Sequence, residues 1–358
     1  MTMHPDRPIP RPCAFLDAVE AYLPGEQPTD PEVIKLNTNE FPYPPAPEVL
    51  EAIRRQACDA LRMYPDPTAA GVREALAVRH GIDPRWILVG NGSDEILRLL
   101  AHAYLEAGRR LAIVEPTYTL YEVLAGQFQA QVHTYPLEDG EHLPKALFEG
   151  DWTACFLPVP NPPLGTVFPE PALRRLVETG RLVVLDGAYM DFAQGPDPLD
   201  LLERFPNLVL TRSFSKSFGM AGLRLGYAMA HPELLGLLHK LRDSYNINRV
   251  SQAAGVAAVG AEAYYADRCA EIVRSRQWLS EELAARGFFV HVSQGNFVLA
   301  RNRAAPRIYE ALKRRGILVR YFARPGLEDG LRITIGTPAE NAALVETLDA
   351  LRREGHFD

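Results

Sequence analysis

Between residues 86 and 210 five short apolar runs recur, at 86–89, 111–114, 154–157, 182–185 and 208–210, with stretches of helical pattern between them. No other feature narrows the possible folds as far. A continuous apolar run is what a strand covered on both faces requires, and strands that alternate with helices must be joined by crossovers, which makes the sheet mainly parallel. Upstream, residues 46–62 carry Val49, Leu50, Ile53, Ala57 and Leu61 at helical spacing, and Thr68 reads as the N-cap of a second helix. From about Val250 the pattern changes to long helices, with strand candidates at 288–292, 297–299, 317–319 and 331–335 and a closing amphipathic helix over 338–353. The expected organisation is an N-terminal arm at 1–45 that packs with the small domain, a large α/β domain at 46–249 and a smaller α+β domain at 250–358. No internal repeat or low-complexity segment interrupts it.

Composition bounds the function classes. At 358 residues the chain exceeds the length at which a single core keeps growing, which favours two domains. Its 38 basic and 45 acidic residues give a net charge of -7, with no basic stretch dense enough to follow a phosphate backbone, so nucleic acid is not an expected partner. Cys13, Cys58, Cys155 and Cys269 lie far apart, which predicts neither a disulfide nor a metal site and suits a reducing compartment. The start, Met1 to Pro12, has four prolines and no apolar core, and no run reaches membrane-spanning length. A soluble, cytoplasmic protein is expected.

In open α/β sheets ligands gather at the carboxyl ends of the strands, so the polar residues after each apolar run matter most. After 208–210 comes Ser213-Phe214-Ser215-Lys216-Ser217-Phe218-Gly219-Met220-Ala221-Gly222-Leu223-Arg224-Leu225-Gly226-Tyr227. Only five of the 38 basic residues are lysines, so a lysine among serines and glycines calls for a chemical reason. A lysine amine can lose its proton when desolvated or set near another cation and can form a Schiff base; a guanidinium can do neither. Arg224 is a candidate for that cation. Ser213 and Ser215, two apart, point to one side of an extended segment and can meet one anionic group. A phosphorylated aldehyde would suit the set, against the plainer alternative of a solvated lysine in a flexible loop.

Two further strand ends fit the same ligand. Gly90-Asn91-Gly92-Ser93-Asp94-Glu95 follows 86–89 and opens a helix, offering free N–H groups and a positive dipole end to a phosphate. The run 182–185 ends in Asp186, with Tyr189 three residues on. A carboxylate there can hold a pyridine nitrogen protonated, and a tyrosine beside it can hydrogen-bond a ring oxygen.

The lysine segment resembles the pyridoxal-phosphate motif of the class I/II aminotransferases and, within that family, of the histidinol-phosphate aminotransferases. Six motifs occur in family order from about Tyr22 to Gly336. The resemblance implies a fold-type I pyridoxal-phosphate transferase: a large α/β domain with a mainly parallel sheet covered by helices, a smaller α+β domain, and a homodimer. Lys216 would carry the cofactor and act as catalytic base, Asp186 and Tyr189 would serve its ring, and Ser93, Asp94, Ser213, Ser215 and Arg224 would hold its phosphate. Tyr118, in Glu115-Pro116-Thr117-Tyr118, would stack on the ring, and Tyr64 would reach the neighbouring subunit's phosphate. Arg332, in Leu331-Arg332-Ile333-Thr334, would grip a substrate anion with Arg320 as helper, while Tyr22 and Asn37 would belong to an arm over the substrate pocket.

One motif departs from the family. Val159-Pro160-Asn161-Pro162-Pro163-Leu164-Gly165 has proline where the family places an asparagine that touches the ring oxygen, and proline has no donor. Either Asn161, one step upstream, supplies the amide or Tyr189 holds that oxygen alone; the first is preferred. The implied reaction converts histidinol phosphate and 2-oxoglutarate to imidazole-acetol phosphate and glutamate. The alternatives are an aromatic amino-acid aminotransferase, a phosphothreonine decarboxylase on the same scaffold, or a silent pyridoxal-phosphate-binding domain, which the intact Lys216, Asp186, Tyr189 and Arg332 argue against.

Overall fold

The computed structural model describes residues 11–195 and 197–357. Most of the Pro-rich start, residues 1–10, lies outside the described residues. Strand β1 (Ile34–Lys35) precedes helices α1 (Pro47–Gln56) and α2 (Ala70–His80). Then follow β2 (Ile87–Gly90), α3 (Gly92–Tyr104), β3 (Arg110–Glu115), α4 (Leu120–Gln127), β4 (Gln131–Pro136), α5 (Lys145–Glu149), β5 (Ala154–Pro158), α6 (Glu170–Val177), β6 (Leu182–Asp186), β7 (Leu208–Ser213) and β8 (Gly226–Ala230). Seven of these strands form one sheet in the order β2-β8-β7-β6-β5-β3-β4. All pairs are parallel except those made by β8, which runs antiparallel to both β7 and β2. Because β8 reverses against both neighbours, β2 points the same way as β7. The carboxyl ends of β2, β3, β5, β6 and β7 therefore share one edge.

The five expected strands are present: β2 is shifted by one residue, β5 and β6 are lengthened by one, β3 by two and β7 by three. Every residue of β5, β6, β7 and β8 is buried, as strands covered on both faces must be. Val183 and Leu185 of β6 join one apolar cluster and Leu182 and Val184 another, on opposite faces of the sheet. Helix α3 puts Ile96, Leu97 and Leu100 fully into the second cluster. Burying an aliphatic side chain contributes roughly 1.5–3 kcal/mol, so these three residues fix the helix whose first turn faces the site.

Two expectations near the start are corrected. The helix expected over 46–62 ends at Gln56, and a short 3-10 turn covers Asp59–Arg62, because Leu61, counted as part of an apolar face, lies exposed. Thr68 does not cap α2. Asp66 accepts from the backbone and hydroxyl of Thr68 and from the N–H of Ala70, while the N-cap position is Ala69 in the left-handed region (φ 50°).

The rest of the chain builds α7 (Pro232–Leu238), α8 (Arg249–Gly260), the 24-residue α9 (Glu262–Ala285), β9 (Phe289–Val290), β10 (Phe297–Arg301), α10 (Ala305–Arg314), β11 (Ile317–Leu318), β12 (Arg320–Tyr321), β13 (Gly330–Thr334) and α11 (Pro338–Arg353). A second, antiparallel sheet has the order β12-β13-β10-β9. The arm strand β1 pairs in parallel with β11, which carries residues 34–39 past the end of β13. Thr337 and Glu340 form a reciprocal capping box that starts α11. Among the described residues no helix is long and apolar enough to cross a membrane.

Candidate active site

A cavity of about 280 Å³ opens at the shared edge of strand ends. Its wall carries five cationic side chains, Lys216, Arg224, Arg320, Arg324 and Arg332, against three carboxylates, Asp94, Glu115 and Asp186. A cavity with that balance attracts anions.

The β7 end and the start of α3 make one polar corner. Ser213 Oγ accepts from the N–H of Ser215 at 3.1 Å, and Arg224 donates to Ser215 Oγ at 3.4 Å and to Asp94 Oδ2 at 3.0 Å. The corner is compact because backbone approaches where a side chain would collide. Gly92 sits at φ +75°, and a Cβ there would lie 2.6 Å from Arg224 Nη2. With Ser93 in the first turn of the 13-residue α3, free N–H groups, two hydroxyls and a guanidinium converge, the donor set for a phosphate.

Lys216 follows directly. Its Nζ donates to the carbonyl of Thr38 at 3.0 Å and lies 5.6 Å from the centre of the Tyr189 ring. Desolvation, assisted by the positive charge of Arg332, brings its pKa from 10.5 down to about 8. Glu40 and Asp94 pull the other way. The result is an amine that reaches its neutral, nucleophilic form near neutral pH.

Asp186 ends β6, and its hydrogen-bond donors are neutral: Tyr121 donates to Oδ2 at 2.9 Å, Thr211 donates to Oδ1 at 2.8 Å, and the backbone of Ala188 adds a third. Burial raises its pKa despite these bonds. A carboxylate so buried, held by neutral donors, is a seat for a cationic ring nitrogen. Tyr118 lies across the cavity, edge-on to Tyr22 (5.8 Å) and Tyr121 (5.6 Å), and burial raises the pKa of its phenol.

The opposite wall comes from the second sheet. Arg320 and Arg332 are direct partners across the β12–β13 pair and so project from the same face. Arg332 donates to the carbonyl of Asn37 at 2.8 Å, while its buried Nε has no hydrogen-bond partner among the described residues. Tyr22, Asn37 and Thr38 of the arm complete this side.

Of the sequence-derived residues, the cavity therefore gathers Tyr22, Asn37, Ser93, Asp94, Tyr118, Asp186, Tyr189, Ser213, Ser215, Lys216, Arg224, Arg320 and Arg332. Two stand outside it. Tyr64 is 77% exposed and stacks on Tyr245 at 4.5 Å. Asn161 is fully buried behind the wall: its amide donates to the carbonyl of Pro116 at 2.9 Å and accepts from Thr117 Oγ1 at 3.1 Å. Its side chain thus serves the 116–117 turn, contrary to the expectation that it reaches the ring oxygen. Sequence reasoning missed Tyr121, Thr211 and Arg324. Tyr121 stands three residues after Tyr118, near enough for that motif to point to it, whereas Arg324, which pairs with Glu122 at 3.5 Å, carries no local signal.

The residues fit pyridoxal phosphate on this chain's own features: a phosphate corner shaped around Gly92, a lysine of lowered pKa and a buried carboxylate without a cationic hydrogen-bond partner. Comparison with known proteins points the same way. The family model of the class I and II aminotransferases matches residues 31–348. The histidinol-phosphate aminotransferase of Syntrophotalea carbinolica is 43% identical over 334 residues, covering 92% of this chain and 95% of that one. That of Geobacter sulfurreducens is 43% identical over 348 residues, covering 94% and 97%. Among solved structures, the histidinol-phosphate aminotransferase of Sinorhizobium meliloti in complex with pyridoxal-5'-phosphate is similar at a TM-score of 0.86 and 28% identity, covering 96% of this chain and 99% of that one. The L-threonine-O-3-phosphate decarboxylase of Porphyromonas gingivalis is similar at 0.75 and 25%, covering 90% and 100%.

Proposed function

Because this chain belongs to the class I and II aminotransferase family, we propose that it is a fold-type I, pyridoxal-phosphate-dependent transaminase of histidine biosynthesis. It takes the amino group of histidinol phosphate and passes it to 2-oxoglutarate, yielding imidazole-acetol phosphate and glutamate. The observation that carries the substrate assignment is the pair Arg320 and Arg332, set opposite each other on the cavity wall with Arg332 Nε unpartnered. Two guanidiniums on one face suit a phosphate dianion, and Arg332 alone suits the carboxylate of the second substrate.

Bound pyridoxal phosphate supplies an aldehyde that joins to an amine and a ring that withdraws electrons from the substrate carbon. The protein's own residues do the rest. Ser93, Ser213, Ser215 and Arg224 hold the phosphate, and Asp186 keeps the ring nitrogen protonated, its own position fixed by Tyr121 and Thr211. Tyr118 would cover the ring, and Lys216 would take the proton from the substrate carbon and deliver it to the cofactor's aldehyde carbon. Tyr22 and Asn37 of the arm close the pocket from the second sheet's side.

The enzyme is proposed to act in the cytoplasm as a homodimer organised as an arm (1–45), a large domain (46–249) and a small domain (250–358). The exposed apolar group Leu61, Met63 and Tyr64, with Tyr64 stacked on Tyr245, is the surface a second subunit would cover. Purified protein loaded with pyridoxal phosphate and offered histidinol phosphate, histidinol, phenylalanine or phosphothreonine tests the assignment. Loss of the cofactor's visible band, and glutamate formation once 2-oxoglutarate is added, are expected at high efficiency only with the first. Preference for phenylalanine, or carbon dioxide release from phosphothreonine, overturns it.

A further inference from the structure

Asn39 stands in the left-handed region (φ 56°), is fully buried, and has all four of its polar groups engaged. Its N–H donates to Thr334 Oγ1 at 3.0 Å, and its carbonyl accepts from the amide of Asn296 at 3.0 Å. Thr334 Oγ1 lies 3.1 Å from Asn39 Oδ1. Having accepted from the Asn39 backbone, that hydroxyl gives its single hydrogen to Oδ1, which fixes the amide's orientation. Nδ2 is left facing Tyr189, and it donates to the phenol oxygen at 3.1 Å. A tyrosine oxygen that accepts from Asn39 has its own O–H free to point elsewhere, and Tyr189 lines the cavity.

We propose that Asn39 is a positioning residue that aims the Tyr189 hydroxyl hydrogen at the bound cofactor's ring oxygen, in place of the donor missing at Pro162. This rests on the cofactor assignment above. The usual companion donor is absent here: Pro162 has neither N–H nor amide, and Asn161 is spent on the 116–117 turn. A donated hydrogen bond also polarises the phenol and makes it a stronger donor. The charged and titratable groups facing Tyr189 are Lys216, Arg332, Asp186, Asp94 and Tyr118, and none of them is hydrogen-bonded to the Asn39 side chain, whose partners are Tyr189 and Thr334. The packing contact on the other side, Phe297 at 5.0 Å, is apolar. Of the anchors of Asn39, Thr334 ends β13 and Asn296 directly precedes β10, so the hydrogen bond also ties the second sheet to the cofactor wall.

The test is a spectroscopic pH titration of the loaded enzyme. Asn39→Gly removes the amide while keeping a residue at ease at positive φ. With Tyr189 no longer aimed, its hydrogen bond to the ring oxygen weakens, which raises the pH at which the visible band titrates by roughly half a unit, a large part of the net worth of a single hydrogen bond. Tyr189→Phe raises it further, and adding Asn39→Gly to that variant changes nothing more. An unmoved titration in Asn39→Gly, or an equal shift with and without the tyrosine, refutes the proposal. Should Asn39→Gly fail to fold, Asn39→Asp keeps the shape and turns the donor into an acceptor that competes for the tyrosine hydrogen. Its shift must then be larger with Tyr189 present than with Tyr189→Phe, and equality again refutes the role. If wild-type protein takes up no pyridoxal phosphate at all, the cofactor assignment fails instead.

Discussion

The pH dependence of cofactor uptake should reveal the lysine. With a pKa of about 8, Lys216 is neutral in about a tenth of molecules at pH 7, whereas a lysine at 10.5 would be neutral in about 3 of every 10,000, a difference of about 300-fold in reactive amine. Apoprotein mixed with pyridoxal phosphate should therefore develop its visible band at a rate that climbs tenfold per pH unit below about 8 and levels above it. The cofactor's phosphate finishes its second ionisation near pH ~6, below this window. The sign of the neighbouring charges gives a second arm. Arg332 lowers the lysine pKa and Glu40 raises it, so Arg332→Gln should move the inflection up and Glu40→Gln should move it down. Stability follows from the same shift. A folded-state pKa below the unfolded one means that protonation favours unfolding, so the penalty is full below about pH 8 and fades as pH rises toward 10.5. Apoprotein denaturant midpoints should rise across that interval. An inflection near pH 10, or an Arg332→Gln shift downward, would refute a desolvated amine held beside a guanidinium.

Three further outcomes follow from the geometry. Asp186→Asn should slow substrate C–H cleavage in single turnovers on the order of 100-fold or more with little loss of cofactor, since an amide held by Tyr121 and Thr211 cannot stabilise a cationic ring; an unchanged rate would make the aspartate structural. Arg332→Lys should cost about 10–100-fold in kcat/KM for histidinol phosphate and glutamate alike, through loss of the planar two-pronged grip, while Arg320→Ala should penalise the phosphate ester selectively; equal use of histidinol and its phosphate would remove this role. Gly92→Ala should raise the cofactor's dissociation constant at least about tenfold, because it places a Cβ 2.6 Å from Arg224 Nη2 at a φ of +75° that side chains resist; equilibrium dialysis against pyridoxal phosphate checks it.

What could be read ahead of the structure was what hydrophobic pattern and local motifs encode. The strands covered on both faces announce themselves as apolar runs, but β4 does not: its residues are half exposed at the sheet's edge, and Gln131, His133 and Thr134 break any run. β8, Gly226 to Ala230, is fully buried yet begins in glycine and lies within the lysine motif, where it reads as the motif's tail. β7 continues past its apolar stretch through Thr211, Arg212 and Ser213, buried polar residues of which Thr211 and Ser213 serve the site and Arg212 pairs with Asp197, none of which hydrophobicity can signal. Three strands of the second sheet, β9, β10 and β13, were legible, but β12 was not: the candidate at 317–319 is β11, which pairs with β1 outside that sheet, and no register could be read. That Arg320 faces Arg332 directly depends on a pairing that sequence spacing does not specify.

The same division runs through the site, and Asn161 shows where local reasoning carried the wrong sign. Two residues apart on an extended segment, side chains share a side; one residue apart, they oppose. That rule places Ser213 and Ser215 together at the phosphate corner. Asn161 pairs with Thr166 in a short antiparallel bridge, and Pro162 lines the cavity, so an asparagine beside that proline must turn its amide the other way, into the 116–117 turn. Sequence proximity to a missing donor is therefore a reason against replacement from the neighbouring position. A replacement has to come from a segment that crosses the site from elsewhere, and the only information that locates one is tertiary. Asn39 lies 150 positions from Tyr189 and 295 from Thr334, and it reaches both because β1 pairs with β11 and carries the arm past the end of β13. With proline at 162, the donor that orients Tyr189 is set by the packing of the arm, which makes the arm part of the cofactor site as well as a cover for the substrate.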